Sequence, residues 1–115
     1  MTLLEKQQLF SQLVAKLILR ASELGYQVTL GEAYRTPEQA ALNALAGQGI
    51  SNSLHTQRLA IDLNLFKDNK YLATSSAHKP LGDYWKTLHE GCCWGGDFQP
   101  RADGNHYSLS HDGRK

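Results

Sequence analysis

The chain lacks any apolar run near the roughly 20 residues that span a bilayer, so no membrane span is expected. It has only two cysteines, and they are neighbours, Cys92 and Cys93. Adjacent Cα atoms sit about 3.8 Å apart, short of the roughly 4.4–6.8 Å of an ordinary disulfide. That excludes a disulfide framework, and the missing paired spacing excludes a thiolate zinc site. Small, partly buried thiols made in a reducing cytosol are the simplest reading. Excess charge is also missing: 12 Lys+Arg against 11 Asp+Glu leaves a formal net charge of +1. The basic residues are scattered apart from Arg114-Lys115, so no nucleic-acid partner is expected. Met1 to Gln8 lacks the basic and continuously apolar regions of a signal peptide, and synthesis in the cytoplasm without one is expected.

What is present suits a folded domain. The 115 residues are 41% hydrophobic and 20% charged, enough for one core without metal or disulfide staples. A single domain over 1–115 is expected, acting as a monomer. Leu9, Leu13, Leu17, Ala21 and Leu24 recur at helical spacing, broadened by Phe10, Val14 and Ile18. They predict one long amphipathic helix from Leu3 to Leu24, ended by Gly25. Tyr26, Val28 and Leu30 alternate as a short strand. Thr36-Pro37-Glu38-Gln39 is a helix start, with Thr36 as cap and Gln39 closing a capping box, and helix is expected to about Ala46.

Ile61, Leu63 and Leu65 alternate with Asp62 and Asn64, so one strand face is apolar and the other polar. Lys67 to Lys70 reads as a turn into a partner strand near Tyr71-Leu72. A further helix is expected over Pro80 to Glu90, and a strand around His106 to Leu109. Helices lie mainly in the first half, strands and loops in the second. That order predicts an α+β fold with a small antiparallel sheet rather than βαβ units.

Three groups of residues carry chemistry. His55 and Asp62 stand seven residues apart, the carboxylate within a strand. An aspartate flanked by Ile61 and Leu63 needs a positive partner if buried. On spacing alone, a plain His–Asp hydrogen bond or an Asp62–Arg58 ion pair explains the pair at least as well as a metal. Asp103 precedes His106 by three residues, across Gly104-Asn105. Two histidines and one aspartate can hold zinc with a position open for water, and Asp103 can then act as a base. Taken alone, an ordinary turn followed by a surface histidine explains this segment better. Arg35 can bind a carboxylate or an oxyanion, or be a solvated arginine paired with Glu32 or Glu38.

Together these stretches resemble a known family. Ser53, His55, Ala60 and Asp62 match the Ser-x-His-x-x-Gly-x-Ala-x-Asp signature of zinc peptidases that include D-alanyl-D-alanine carboxypeptidases and dipeptidases. The same group contains the L-alanyl-D-glutamate endopeptidases used as phage endolysins. Arg58 stands where glycine is common. Asp103-Gly104-Asn105-His106, followed by Tyr107, is similar to the family's carboxylate-x-x-histidine motif. Tyr34 to Gln39 looks like its Arg-Ser/Thr…Gln block. Trp94-Gly95-Gly96-Asp97-Phe98 resembles a run common in the endolysin branch. The four blocks run in the right order from about Tyr34 to Tyr107.

The resemblance implies a Hedgehog/D-Ala-D-Ala peptidase-like fold, α+β with helices packed on one side of a small antiparallel sheet. It implies Zn2+ held by His55, Asp62 and His106, with Asp103 as general base. Arg35 would hold the substrate or the oxyanion; apart from the resemblance, Ser53 and Arg58 are expected to join it in binding substrate. The implied substrate is the stem peptide of bacterial peptidoglycan, cleaved at L-Ala–D-Glu or D-Ala–D-Ala. A phage or prophage endolysin, acting on the cell wall after release, is the expected role. The alternative is a non-catalytic zinc-stabilised module that binds a peptide or protein; Asp103 and Arg35 together argue against it. Arg58 is expected to narrow the cleft or bind a substrate carboxylate, and Asp103 is one methylene shorter than the glutamate of some relatives. His78, His89 and His111 match no ligand position and are expected on the surface, with His111 a spare ligand at most.

Overall fold

The computed structural model describes residues 1–50 and 52–115. Its elements are α1 (Leu3–Glu23), β1 (Gln27–Leu30), α2 (Pro37–Leu45), β2 (Ala60–Lys67), β3 (Lys70–Tyr71), α3 (Lys79–Leu88), β4 (Cys92–Trp94) and β5 (His106–Leu109). Single 3-10 turns occupy Leu54–Gln57, Ser75–His78 and Gly95–Asp97.

Local chemistry accounts for the helix ends. A complete capping box opens α1: Glu5 N donates to Thr2 Oγ1 at 3.1 Å, and Thr2 N donates to Glu5 Oε1 at 2.8 Å. Gly25, at φ +86°, takes the left-handed turn that ends it. Thr36 caps α2, accepting from Gln39 N at 3.0 Å. The other half of the expected capping box is not made. Gln39 instead donates its side-chain amide to Asn43 Oδ1 at 2.7 Å, one helical turn on.

The sheet runs β1-β2-β5-β4, with β3 paired to the far end of β2, and every pairing is antiparallel. The β2–β3 hairpin turns on Asp68 (φ 51°) and Asn69 (φ 63°), the left-handed pair that a tight twisted hairpin favours. The α+β architecture therefore agrees with the sequence pattern. The strand β4 does not follow from that pattern. Cys-Cys-Trp is too short to show alternation, and it becomes a strand by pairing with β5.

Along β2, Ile61, Leu63 and Leu65 are buried while Asp62 and Asn64 stay partly exposed. The buried positions join Phe10, Leu13 and Leu17 of α1, Leu81 and Trp85 of α3, and Tyr107 and Leu109 of β5 in one core. Trp85 is fully buried, edge-on to Phe10 at 5.8 Å, with Nε1 shared between the carbonyls of Cys93 and Ser108. Burial pushes the Cys92 thiol up to about 12 and Cys93 upward too, so neither is an activated nucleophile.

His78 corrects one expectation. It is not a surface residue but is 4% exposed, with Nδ1 2.8 Å from the Tyr107 hydroxyl. A fully buried tyrosine needs a partner for its hydroxyl, and the 3-10 turn at Ser75–His78 carries the imidazole to it.

Candidate metal centre and active site

Strand register builds two thirds of the site. Asp62 lies directly opposite His106 in the β2–β5 ladder. Residues opposed in this way share a face with Cβ atoms about 4.5–5.5 Å apart. Both belong to the face turned away from the core residues Ile61 and Tyr107. His106 Nδ1 is 3.7 Å from Asp62 Oδ1.

His55 arrives from the 3-10 turn that precedes the same strand. Ser53 caps this turn, its hydroxyl oxygen accepting from His55 N at 3.2 Å. The hydroxyl of Ser53 is buried in that role, so its clearest contribution is to fix His55. The turn closes at Arg58, which adopts φ 56°. A left-handed conformation at this position explains why glycine suits it. The Arg58 guanidinium stacks over the Tyr34 ring, 4.0 Å from its centroid, and is not the ion-pair partner of Asp62.

His55 Nε2 reaches to 3.3 Å from Asp62 Oδ1. One donor atom from each of His55, Asp62 and His106 lies within 4.8 Å of the others. Desolvation pushes Asp62 upward, but His106 and His55 outweigh it and hold the carboxyl at about 2. Among the described residues, Oδ1 is a buried oxygen with no hydrogen-bond partner of good geometry. A buried carboxylate oxygen facing two imidazole nitrogens is the environment a divalent cation completes. Two nitrogens and one oxygen match the donor set of an open zinc site.

Asp103 stands at the start of a tight turn whose last N–H, on His106, donates to Asp103 O at 3.0 Å. Three contacts pin this turn. Asp103 N donates to Gly95 O at 2.8 Å, Trp94 Nε1 to Gly104 O at 2.7 Å, and Gly104 N to Ser75 Oγ at 2.9 Å. A Cβ at Gly95 would lie 2.0 Å from the Asp103 carbonyl oxygen, so the close approach requires glycine. Lost hydration pushes the Asp103 carboxyl up, against the pull of His106, His55 and Arg35 and with the push of Asp62. A polar hollow of about 250 Å³ opens beside it, lined by Thr74, Ser75, His78 and Asn105. The larger hollow, about 950 Å³ along Trp94, Phe98 and Arg101, holds none of the three donors. The chemistry lies with the donors.

Arg35 is tied to the same centre. Its backbone N donates to His55 O at 3.1 Å, and its guanidinium pairs with Glu32 Oε1. Its Nε is buried without a partner among the described residues. Glu32 Oε1 also lies 3.7 Å from His55 Nδ1. From the sequence Glu32 is only an ion-pair candidate for Arg35; its position just after β1 is the one signal for the contact with His55. His89 accepts from Gly91 N and His111 faces Lys6 and Asp112, so neither enters the donor cluster.

The fold is shared with two solved peptidases. The L-Ala D-Glu endopeptidase ChiX of Serratia marcescens is 18% identical at a TM-score of 0.70, over 87% of this chain and 79% of that one. The vancomycin-resistance D,D-pentapeptidase VanY, solved with Zn(II), is 17% identical at 0.58, over 87% and 70%. No curated protein sequence matches. The family model described as D-alanyl-D-alanine carboxypeptidase matches residues 46–109. That span exceeds half the chain and takes in the whole donor cluster together with Asp103. By that match the chain belongs to the D-alanyl-D-alanine carboxypeptidase family of zinc metallopeptidases.

Proposed function

We propose that this chain hydrolyses peptide bonds in the stem peptides of bacterial peptidoglycan, at L-Ala–D-Glu or D-Ala–D-Ala, as a phage or prophage endolysin. The observation that carries the reading is the convergence of His55, Asp62 and His106 on one point, with Asp62 Oδ1 lacking a donor among the described residues. In this reading those three residues hold zinc. When bound there, zinc supplies Lewis-acid polarisation of the scissile carbonyl and lowers the pKa of water.

The chain's own residues do the rest. Asp103, on the wall of the polar hollow beside the donors, takes the proton from the attacking water and returns it to the leaving amine. Arg35, held by Glu32, stabilises the negative charge that develops on the carbonyl oxygen; a preorganised contact of this kind contributes roughly 3–4 kcal/mol. The polar hollow beside Asp103 is suited to the hydrogen-bonding groups next to the cleaved bond. The free carboxylates of a stem peptide suit a cleft that presents an arginine. The Trp94–Phe98 run supports the endolysin role.

Mass spectrometry of purified peptidoglycan after digestion tests the proposal and identifies the bond. New stem-peptide termini are expected with the zinc-loaded protein. With Asp103→Asn the protein should keep its zinc and its fold but release none. Hydrolysis by that variant at the wild-type rate would refute the role of Asp103, and no cleavage by the wild type would refute the function. For the endolysin role, lysis of permeabilised cells is expected, and intact turbidity would refute it.

A further inference from the structure

Glu32 reaches the site through both its backbone and its side chain. Its carbonyl accepts from Asp62 N at 3.0 Å, and the preceding Gly31 N donates to Asp62 O at 2.8 Å. A Cβ at Gly31 would stand 2.8 Å from that oxygen, so glycine allows the close approach. The Glu32 carboxylate therefore starts from a backbone locked to Asp62. Its Oε1 pairs with Arg35 Nη2 and lies 3.7 Å from His55 Nδ1.

The far side of His55 is what gives this contact meaning. Nε2 faces Asp62 Oδ1, and Nδ1 is buried with no hydrogen-bond partner among the described residues. An imidazole that offers Nε2 to a metal carries its proton on Nδ1, and an acceptor behind that proton fixes the tautomer and the ring. Glu32 Oε1 is a carboxylate oxygen on that side, 3.7 Å away, and a small ring rotation closes the separation.

We propose that Glu32 is a positioning residue for the metal centre: its carboxylate accepts the His55 Nδ1 proton and anchors the Arg35 guanidinium through the same oxygen. The inference rests on the reading of His55 as a metal ligand. One side chain then sets both the orientation of a donor and the aim of the cation beside the substrate. A partly exposed Glu–Arg ion pair with no further role would leave metal affinity unchanged. Loss of a carboxylate behind a ligating histidine typically costs 10–100-fold in metal affinity.

The test is zinc affinity of the full chain, measured by competition with a chromophoric chelator, for wild type, Glu32→Ala, Glu32→Gln and Arg35→Ala. Glu32→Ala is expected to weaken zinc binding by about 10–100-fold. Glu32→Gln keeps an acceptor oxygen and should fall between Ala and wild type, so it carries the test if Glu32→Ala does not fold. Arg35→Ala removes the ion pair but leaves Glu32 behind His55, and should bind zinc nearly as tightly as wild type whatever it does to hydrolysis. Long-range 15N–1H correlation on the zinc-loaded wild type should show His55 protonated at Nδ1. Wild-type affinity in both Glu32 variants, or an equal loss in Arg35→Ala, would overturn the inference and leave the metal site standing. A wild type that binds no zinc would overturn the metal site and the inference together.

Discussion

Trp94→Phe removes an N–H that pins the turn carrying Asp103, together with part of a buried ring. The indole Nε1 donates to the Gly104 carbonyl at 2.7 Å in buried surroundings, and Gly104 sits in the turn between Asp103 and His106. The ring is held between Gly82 and Gly96, where a Cβ would come within 2.1 and 2.2 Å of indole carbons. Phenylalanine fills most of that slot. A buried carbonyl that loses its donor costs about 1–3 kcal/mol, and the vacated part of the slot adds roughly 1 kcal/mol. The total, about 2–4 kcal/mol, should lower the urea midpoint by about 1–2 M. A shift of the turn near 1 Å should cost up to about 100-fold in kcat on stem peptides. Trp85→Phe is the matched control. It removes an N–H shared by Cys93 and Ser108 and a similar volume, but the indole makes no hydrogen bond to the turn. It should lose comparable stability with kcat little changed. Wild-type kcat in folded Trp94→Phe, or an equal loss in Trp85→Phe, would refute a positioning role for the indole N–H.

Three further outcomes are expected. Arg58→Gly gains relief of about 1 kcal/mol from the left-handed conformation and loses a stacking contact of about 0.5–1 kcal/mol. Its stability should match wild type to within about 1 kcal/mol in urea, and a larger loss would refute the backbone argument. His78 is buried and its imidazole is pushed below the ordinary histidine range by desolvation. The unfolded state therefore binds more protons as the pH falls through about 6.5. Stability present above that pH should decline below it; the same slope between pH 7.5 and 5.5 in His78→Gln would exclude this source. Zinc at about a thousandfold above its Kd should stabilise the chain by about 4 kcal/mol. His106→Ala should abolish that thermal shift, and a Tm indifferent to zinc in the wild type would refute the donor set.

Much of this was legible because the signals were local and periodic. The α1 stripe, the Thr36 cap and the alternation of β2 each depend on a few neighbouring residues, and all three are present. The placement of Asp62 on a polar face followed from that alternation. What escaped was contact between segments far apart in sequence. Three residues of β4 become a strand through β5, and His78 is buried because Tyr107 needs a hydroxyl partner. Glu32 meets His55 only after β1 pairs with β2. Arg58 was visible as a departure from a glycine pattern, but its cause, a positive φ, belongs to the folded backbone.

The rung that sets Asp62 against His106 also dates the site within folding. His55 and Asp62 are close in the chain and can meet early, but His106 joins only when the loop spanning 63–105 closes. Closure of a long loop is entropically slow to reach, and contacts of high sequence separation form late. A metal ion added to a folding chain would thus find at most a weak pair of local donors until β5 docks. Its tight capture would report the completed sheet, and the ion would act as a latch on the native topology.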